Sequence, residues 1–115
     1  MSSADEILKL RRAELAQKFL KRSHQDALLF RARLADLNVD QPLAGAADLK
    51  MFAHKITGTG ATLGLDALSE VAREFEAALI PPAAGTAVTA QELEYLKKAA
   101  ARLLLEIERL LGSAS

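Results

Sequence analysis

The chain has 115 residues, with 15 Lys and Arg against 15 Asp and Glu, half of it hydrophobic and no cysteine. That length suits one domain with a single core, and the balanced charge gives no general electrostatic hold on nucleic acid. Disulfides, thiolate metal sites and thiol chemistry are excluded, while scarce aromatics and abundant Ala and Leu favour helices over strands.

Ser3 and Glu6 have capping-box spacing and open a first helix. Ala16, Leu20, Ala27, Phe30, Leu34 and Leu37 then recur at helical intervals, with no proline or glycine between. Two readings stand for this stretch: one long helix, or a short extra N-terminal helix that breaks near Ser23. "NVDQPLAG" reads as a loop punctuated by Pro42 and Gly45. A second helix is predicted from about Ala46 to Leu63, with Leu49, Phe52, Ile56 and Leu63 as its apolar stripe and Gly64 as its stop. Asp66 is a candidate N-cap for a third helix lined by Leu68, Val71, Ala72, Phe75 and Leu79, which "IPPAAGT" ends. The fourth has the clearest start: Thr89 and Glu92 form a capping box, with Val88 and Leu93 at the staple positions. Leu93, Leu96, Ala100, Leu103, Ile107 and Leu110 make its stripe, and Gly112 closes it.

The expected fold is all-α, an antiparallel four-helix bundle over residues 1–115 as a single domain. "MSSADEILKLRR" has no apolar core long enough for export, and "AALIPPAAGTAVTA" is broken by Pro81, Pro82 and Gly85 and is too short to span a bilayer. The expectation is a cytoplasmic monomer, with no membrane or nucleic-acid partner.

One stretch does not fit a helix chosen for stability. From Thr57 to Gly64, directly after "AHKI", stand three glycines and three threonines. If helical, Thr57–Thr62 carries a penalty of roughly 3 kcal/mol against alanine. On a helical wheel Leu49, Phe52, Gly60 and Leu63 fall within about 40° of Ile56, so Gly60 faces the core and lets a neighbouring helix come close. Gly58 falls about 160° away, on the outer face with His54 one turn before it and Ala61 almost one turn after. Lys50 and Met51 flank this patch. No packing demand inside a bundle removes a side chain from its solvent face. A bare backbone at Gly58 beside a small Ala61 makes sense if another molecule must approach the His54 ring.

Other chemistries lack their residues. His24 is the only other histidine of the chain, and neither sits in a metal-ligand pattern. No nucleophile motif accompanies them. "GTGATLG" lacks the GK[ST] ending of a phosphate loop and the spacing of G-x-G-x-x-G. His24 lies toward the edge of the first helix's inner face and reads as structural or surface.

"AHKITGTGATLGLDALSEVAREFE" resembles the motif region of histidine-containing phosphotransfer (HPt) domains of bacterial phosphorelays, approximately A-H-x-L-K-G-[SA]-[AG]-x-x-[LIV]-G-x-x-x-L-x-x-L-A-x-x-L-E. His54 matches the phosphorylated histidine, Gly58 the glycine four later, Gly64 the glycine ending the helix, and Leu68, Ala72 and Glu76 match along the next helix. Phe75 replaces an aliphatic residue. Thr57 stands where the family usually has a lysine that helps hold the phosphoryl group; on the wheel Lys55 points away and Lys50 is nearer the site.

The resemblance implies a phosphoryl carrier rather than a turnover enzyme. His54 would exchange the group with receiver domains of response regulators and a (hybrid) histidine kinase. The receiver would supply an aspartate and Mg²⁺, so the chain itself would need no cofactor and no metal. Met51, Gly58 and Ala61 would form the receiver-binding face. The helical hairpin around Gly64 sets Glu76 at the height of His54, where it would orient the ring, unless it is a solvated surface charge like Glu70 and Glu74. Arg73 would contact the phosphoryl group or pair with Glu76. Two alternatives stay open: a phosphorylation-silent helical adaptor that binds a receiver, and an HPt domain excised from a hybrid kinase.

Overall fold

The computed structural model describes residues 3–35 and 45–113. Leu37 and Pro42 lie outside them. Four helices follow in order: α1 Ser3–Ala35, α2 Ala46–Thr62, α3 Asp66–Ala83 and α4 Ala90–Ser113. They form an all-α bundle, and no strand occurs among the described residues. α1 runs unbroken through Ser23, so of the two readings the one long helix holds and the extra N-terminal helix does not. Its first turns, from Ser3 to Leu15, are exposed on every side. Beyond them Leu20, Ala27 and Leu34 enter the core, at the spacing of seven that holds one helical face inward.

Each remaining helix contributes a stripe to the same core: Leu49, Ala53 and Ile56 from α2, Leu68, Ala72, Phe75 and Leu79 from α3, and Leu93, Leu96, Leu103 and Ile107 from α4. Phe75 is the largest fully buried side chain. Phe52 is half-buried and tilts against Phe30 of α1, with ring centroids 4.9 Å apart. α1 is tied to α4 at the level of His24, whose Nε2 lies 3.0 Å from Glu108 Oε2. His24 is therefore a half-buried structural contact.

The helix ends show where local rules hold. Glu92 N donates to Thr89 Oγ1 at 3.2 Å and Thr89 N to Glu92 Oε1 at 3.4 Å, the predicted capping box, while Val88 and Leu93 are both buried beside it. Gly64 ends α2 with φ +77°. Leu65 N donates to Gly60 O at 2.8 Å and Gly64 N to Ala61 O at 3.2 Å, the pair of bonds of a Schellman motif, which needs a left-handed residue at Gly64.

Two helix ends differ from expectation, the start of α3 and the end of α4. Asp66 is the first helical residue of α3, not its cap; Leu65 holds the cap position without a side-chain bond, and the Asp66 carboxylate sits in the first turn, where the helix dipole favours it. α3 ends within "IPPAAGT", as expected, with Pro81 and Pro82 part of its last turn. Burial of Leu79 and Pro82 holds the last turn, and the helix closes at Gly85, where Gly85 N donates to Pro82 O and Thr86 N to Pro81 O. α4 continues through Gly112 to Ser113.

On α4, Arg109 Nε lies 3.0 Å from Glu106 Oε2 and its Nη2 2.5 Å from Oε1. This hydrogen bonding holds the Glu106 carboxyl below its ordinary value of 4.5. A depressed folded pKa adds stability that is present above the ordinary carboxylate range and is lost as pH falls through the lowered value. Glu106→Gln should therefore lower the melting temperature slightly at neutral pH and leave it unchanged at pH values below the folded pKa. Melting curves across the acid range check this; a constant difference at every pH would contradict it.

Candidate functional site

The site is built on the α2–α3 hairpin. The Schellman turn at Gly64 sends the chain back antiparallel, and two contacts lock the two helices together. Ser69, buried at 4% exposure, donates its Oγ to Thr57 O at 2.7 Å. Gly60 is buried against the start of α3, where a Cβ would meet Leu65 O and Ser69 N at 3.5 Å. Gly60 thus faces a neighbouring helix, as the wheel predicts; an alanine would just fit and a larger side chain would not.

With that register, Glu76 of α3 comes level with His54 of α2. His54 Nδ1 lies 2.7 Å from Glu76 Oε2. The two side chains differ in cover: His54 is 77% exposed and Glu76 only 19%. Glu70 and Glu74 of the same helix are 69% and 50% exposed, so Glu76 is not one more solvated glutamate. A covered carboxylate needs a donor, and a histidine that donates from Nδ1 leaves the lone pair on Nε2. The ring is therefore held at one nitrogen and open to solvent at the other.

A shallow groove of about 480 Å³ runs beside the ring, lined by Ala47, Lys50, Met51, His54, Glu76 and Ala83. Met51 is 72% exposed. On the other side of His54, Gly58 and Ala61 are exposed, and a Cβ at Gly58 would meet nothing within 4 Å. Met51, His54, Gly58 and Ala61 form one open strip of α2.

Thr57 and Arg73 are turned to other partners. Thr57 Oγ1 donates to Ala53 O at 2.9 Å, within its own helix. Arg73 pairs with Glu70 at 3.5 Å rather than with Glu76, which corrects the expected pairing. Glu76 is turned in to His54 and largely covered, whereas Glu70 lies three residues before Arg73 on the exposed face of α3. Lys55 lines a separate hollow with Phe19 and Asp26 of α1. Sequence reasoning missed three contributors. Ala47 and Ala83 line the groove, and Ser69 clamps the hairpin. Ala47 was findable as a small residue two turns before His54; Ser69 was findable as a hydroxyl on the buried stripe of α3.

Among the described residues no group of three or more His, Cys, Asp or Glu is placed to hold a metal ion. No helix among them is long and apolar enough to cross a membrane. The profile of the Hpt domain matches residues 14–112. The chain belongs to the Hpt domain family. No curated protein and no solved structure matched it significantly. Hpt domains are phosphotransfer carrier modules of phosphorelay signalling, working with receiver domains and histidine kinases. The match spans α2, α3 and most of α1 and α4, leaving out the first turns of α1, Ser3 to Ala13.

Proposed function

We propose that this Hpt domain accepts a phosphoryl group on His54 Nε2 from the aspartate of a receiver domain and passes it to the aspartate of another. The observation that carries the reading is the His54–Glu76 pair. An exposed imidazole is fixed at Nδ1 by a covered carboxylate, so its nucleophilic lone pair is aimed outward. In the forward step the bond from phosphorus to the aspartate oxygen breaks, the carboxylate leaves with the electron pair, and a bond forms to Nε2. The proton stays on Nδ1, where the Glu76 carboxylate offsets the positive charge that the ring acquires. The reverse step is the same exchange with a second receiver.

Such a transfer asks for positioning and for charge neutralisation rather than for covalent assistance. The protein supplies the fixed nucleophile and a flat place to dock, the strip of Met51, Gly58 and Ala61. The receiver supplies the aspartate and the Mg²⁺ on it. Neither partner holds the group permanently, so the domain acts as a carrier.

Mixing the protein with a phosphorylated, Mg²⁺-loaded receiver tests this. The protein should gain one acid-labile, alkali-stable phosphoryl group while the receiver loses its own. A complex that forms without transfer would favour the second reading, a phosphorylation-silent adaptor. The observation favouring that reading is Thr57, whose hydroxyl is bonded within α2 where the family motif has lysine.

A further inference from the structure

The phosphoryl group carries negative charge that the family motif meets with a lysine three residues after the histidine. Thr57 cannot meet it. Its side chain is short, uncharged and bonded to Ala53 O. The other basic residues weighed for this role are directed elsewhere, Lys55 toward α1 and Arg73 to Glu70. Lys50 remains. It lines the same groove as His54 and Glu76, and among the described residues lining that groove it is the one cation.

Helical geometry explains why Lys50 can replace a residue at position 57. Lys50 lies four residues before His54 and Thr57 three after, so both sit about one turn, roughly 5 Å, from it along the axis. By angle they lie about 40° and 60° round from His54, in the same direction, on the flank that faces α3. One approaches the ring from the N-terminal side and the other from the C-terminal side. Lys50 is half-buried and shares the groove with Ala47 and Ala83; a lysine in such a place can lay its stem on apolar surface and keep its ammonium in water.

We propose that Lys50 is the residue that neutralises the phosphoryl group on His54 Nε2, and that in this chain the cation has moved from the C-terminal to the N-terminal side of the nucleophile. The inference rests on His54 being the phosphoacceptor. During transfer the Lys50 ammonium contacts the phosphoryl oxygens as the bond to the donor breaks and the bond to Nε2 forms; it keeps its three protons and gives none up.

The test uses phosphoramidate, a small donor that needs no docking and releases ammonia as its phosphorus–nitrogen bond breaks. Labelling of His54 is followed by phosphorus NMR in the wild type and in Lys50→Ala, Lys50→Gln, Lys50→Arg, Lys50→Ala with Thr57→Lys, and His54→Gln. Lys50→Ala and Lys50→Gln should label about tenfold more slowly, less than the loss of a donor in a closed site because the groove is open to water. The deficit should shrink at high salt, as exposed charge effects do. Lys50→Arg should keep most of the rate, and the double variant should regain it, because the charge returns to the flank from the other side. Melting temperatures within a degree or two of the wild type, about the shift expected from a surface substitution, would exclude a structural cause. Wild-type labelling in both Lys50→Ala and Lys50→Gln, with none in His54→Gln, would overturn the assignment of Lys50 and leave the phosphohistidine reading standing. Labelling that persists in His54→Gln would overturn the reading on which it rests.

Discussion

Glu76→Ala is expected to slow phosphorylation of His54 on the order of 10- to 100-fold, the size of loss seen when the hydrogen-bond partner that orients a metal-binding histidine is removed. The bond from Nδ1 to Glu76 Oε2 is 2.7 Å, and it selects the tautomer with the proton on Nδ1. Without it the proton distributes between the two nitrogens and the ring turns freely, since His54 is otherwise exposed. The nucleophilic lone pair is then present, and aimed, for a smaller part of the time. Glu76→Gln should keep much of the rate, because the amide oxygen still accepts from Nδ1. Nitrogen chemical shifts of the His54 ring report the tautomer directly. They should show protonated Nδ1 in the wild type and in Glu76→Gln, and a mixture in Glu76→Ala. Receiver binding should change far less than the rate, since Glu76 is largely covered while the docking strip lies on exposed α2. An unchanged rate and tautomer in Glu76→Ala would make Glu76 a structural neighbour only.

Gly58→Gln should separate docking from folding in the opposite sense. A glycine inside an exposed helix costs up to about 1 kcal/mol relative to a good helix former. Nothing lies within 4 Å of a Cβ at Gly58, so the variant should melt at the same temperature or higher. The added side chain rises beside the ring, on the strip shared with Met51 and Ala61. A receiver that must bring its aspartate to Nε2 would meet it, and affinity should fall on the order of tenfold or more, which corresponds to about 1.4 kcal/mol. Gly58→Ala should fall between. Titration of a receiver against the two variants, beside their melting curves, checks this. Full affinity in Gly58→Gln would place the docking face elsewhere on the bundle.

Much of the site was legible because it depends on helix phase. Gly58 and Gly60 are two residues apart, yet one is exposed and the other buried, as the 100° step requires. The height of Glu76 followed from counting away from Gly64, because a Schellman turn fixes the register of the hairpin that it closes. The start of α4 was equally plain, since a capping box is a local interaction written in four residues.

What was not legible depends on tertiary contacts or on a choice of rotamer. How far α3 runs into "IPPAAGT" is not written locally; Leu79 and Pro82 are buried against the rest of the bundle and carry it on to Ala83. Asp66 and Leu65 compete for the cap, and the Schellman turn decides by pulling the half-buried Leu65 into place. Arg73 had Glu70 and Glu76 at equal sequence distance on either side, and Glu76 is covered beside His54 while Glu70 is exposed as Arg73 is. The long α1 was left open because nothing local distinguishes a continuous helix from two that meet at Ser23.

The most direct measurement is mass spectrometry of His54→Gln and His24→Gln after reaction with a phosphorylated receiver and Mg²⁺. His54 stands open on α2 with its Nδ1 held, whereas His24 is half-buried and bonded to Glu108 across the α1–α4 contact. The account predicts that His24→Gln takes up one acid-labile phosphoryl group, on a peptide containing His54, and that His54→Gln takes up none. A phosphoryl group on His54→Gln would contradict it.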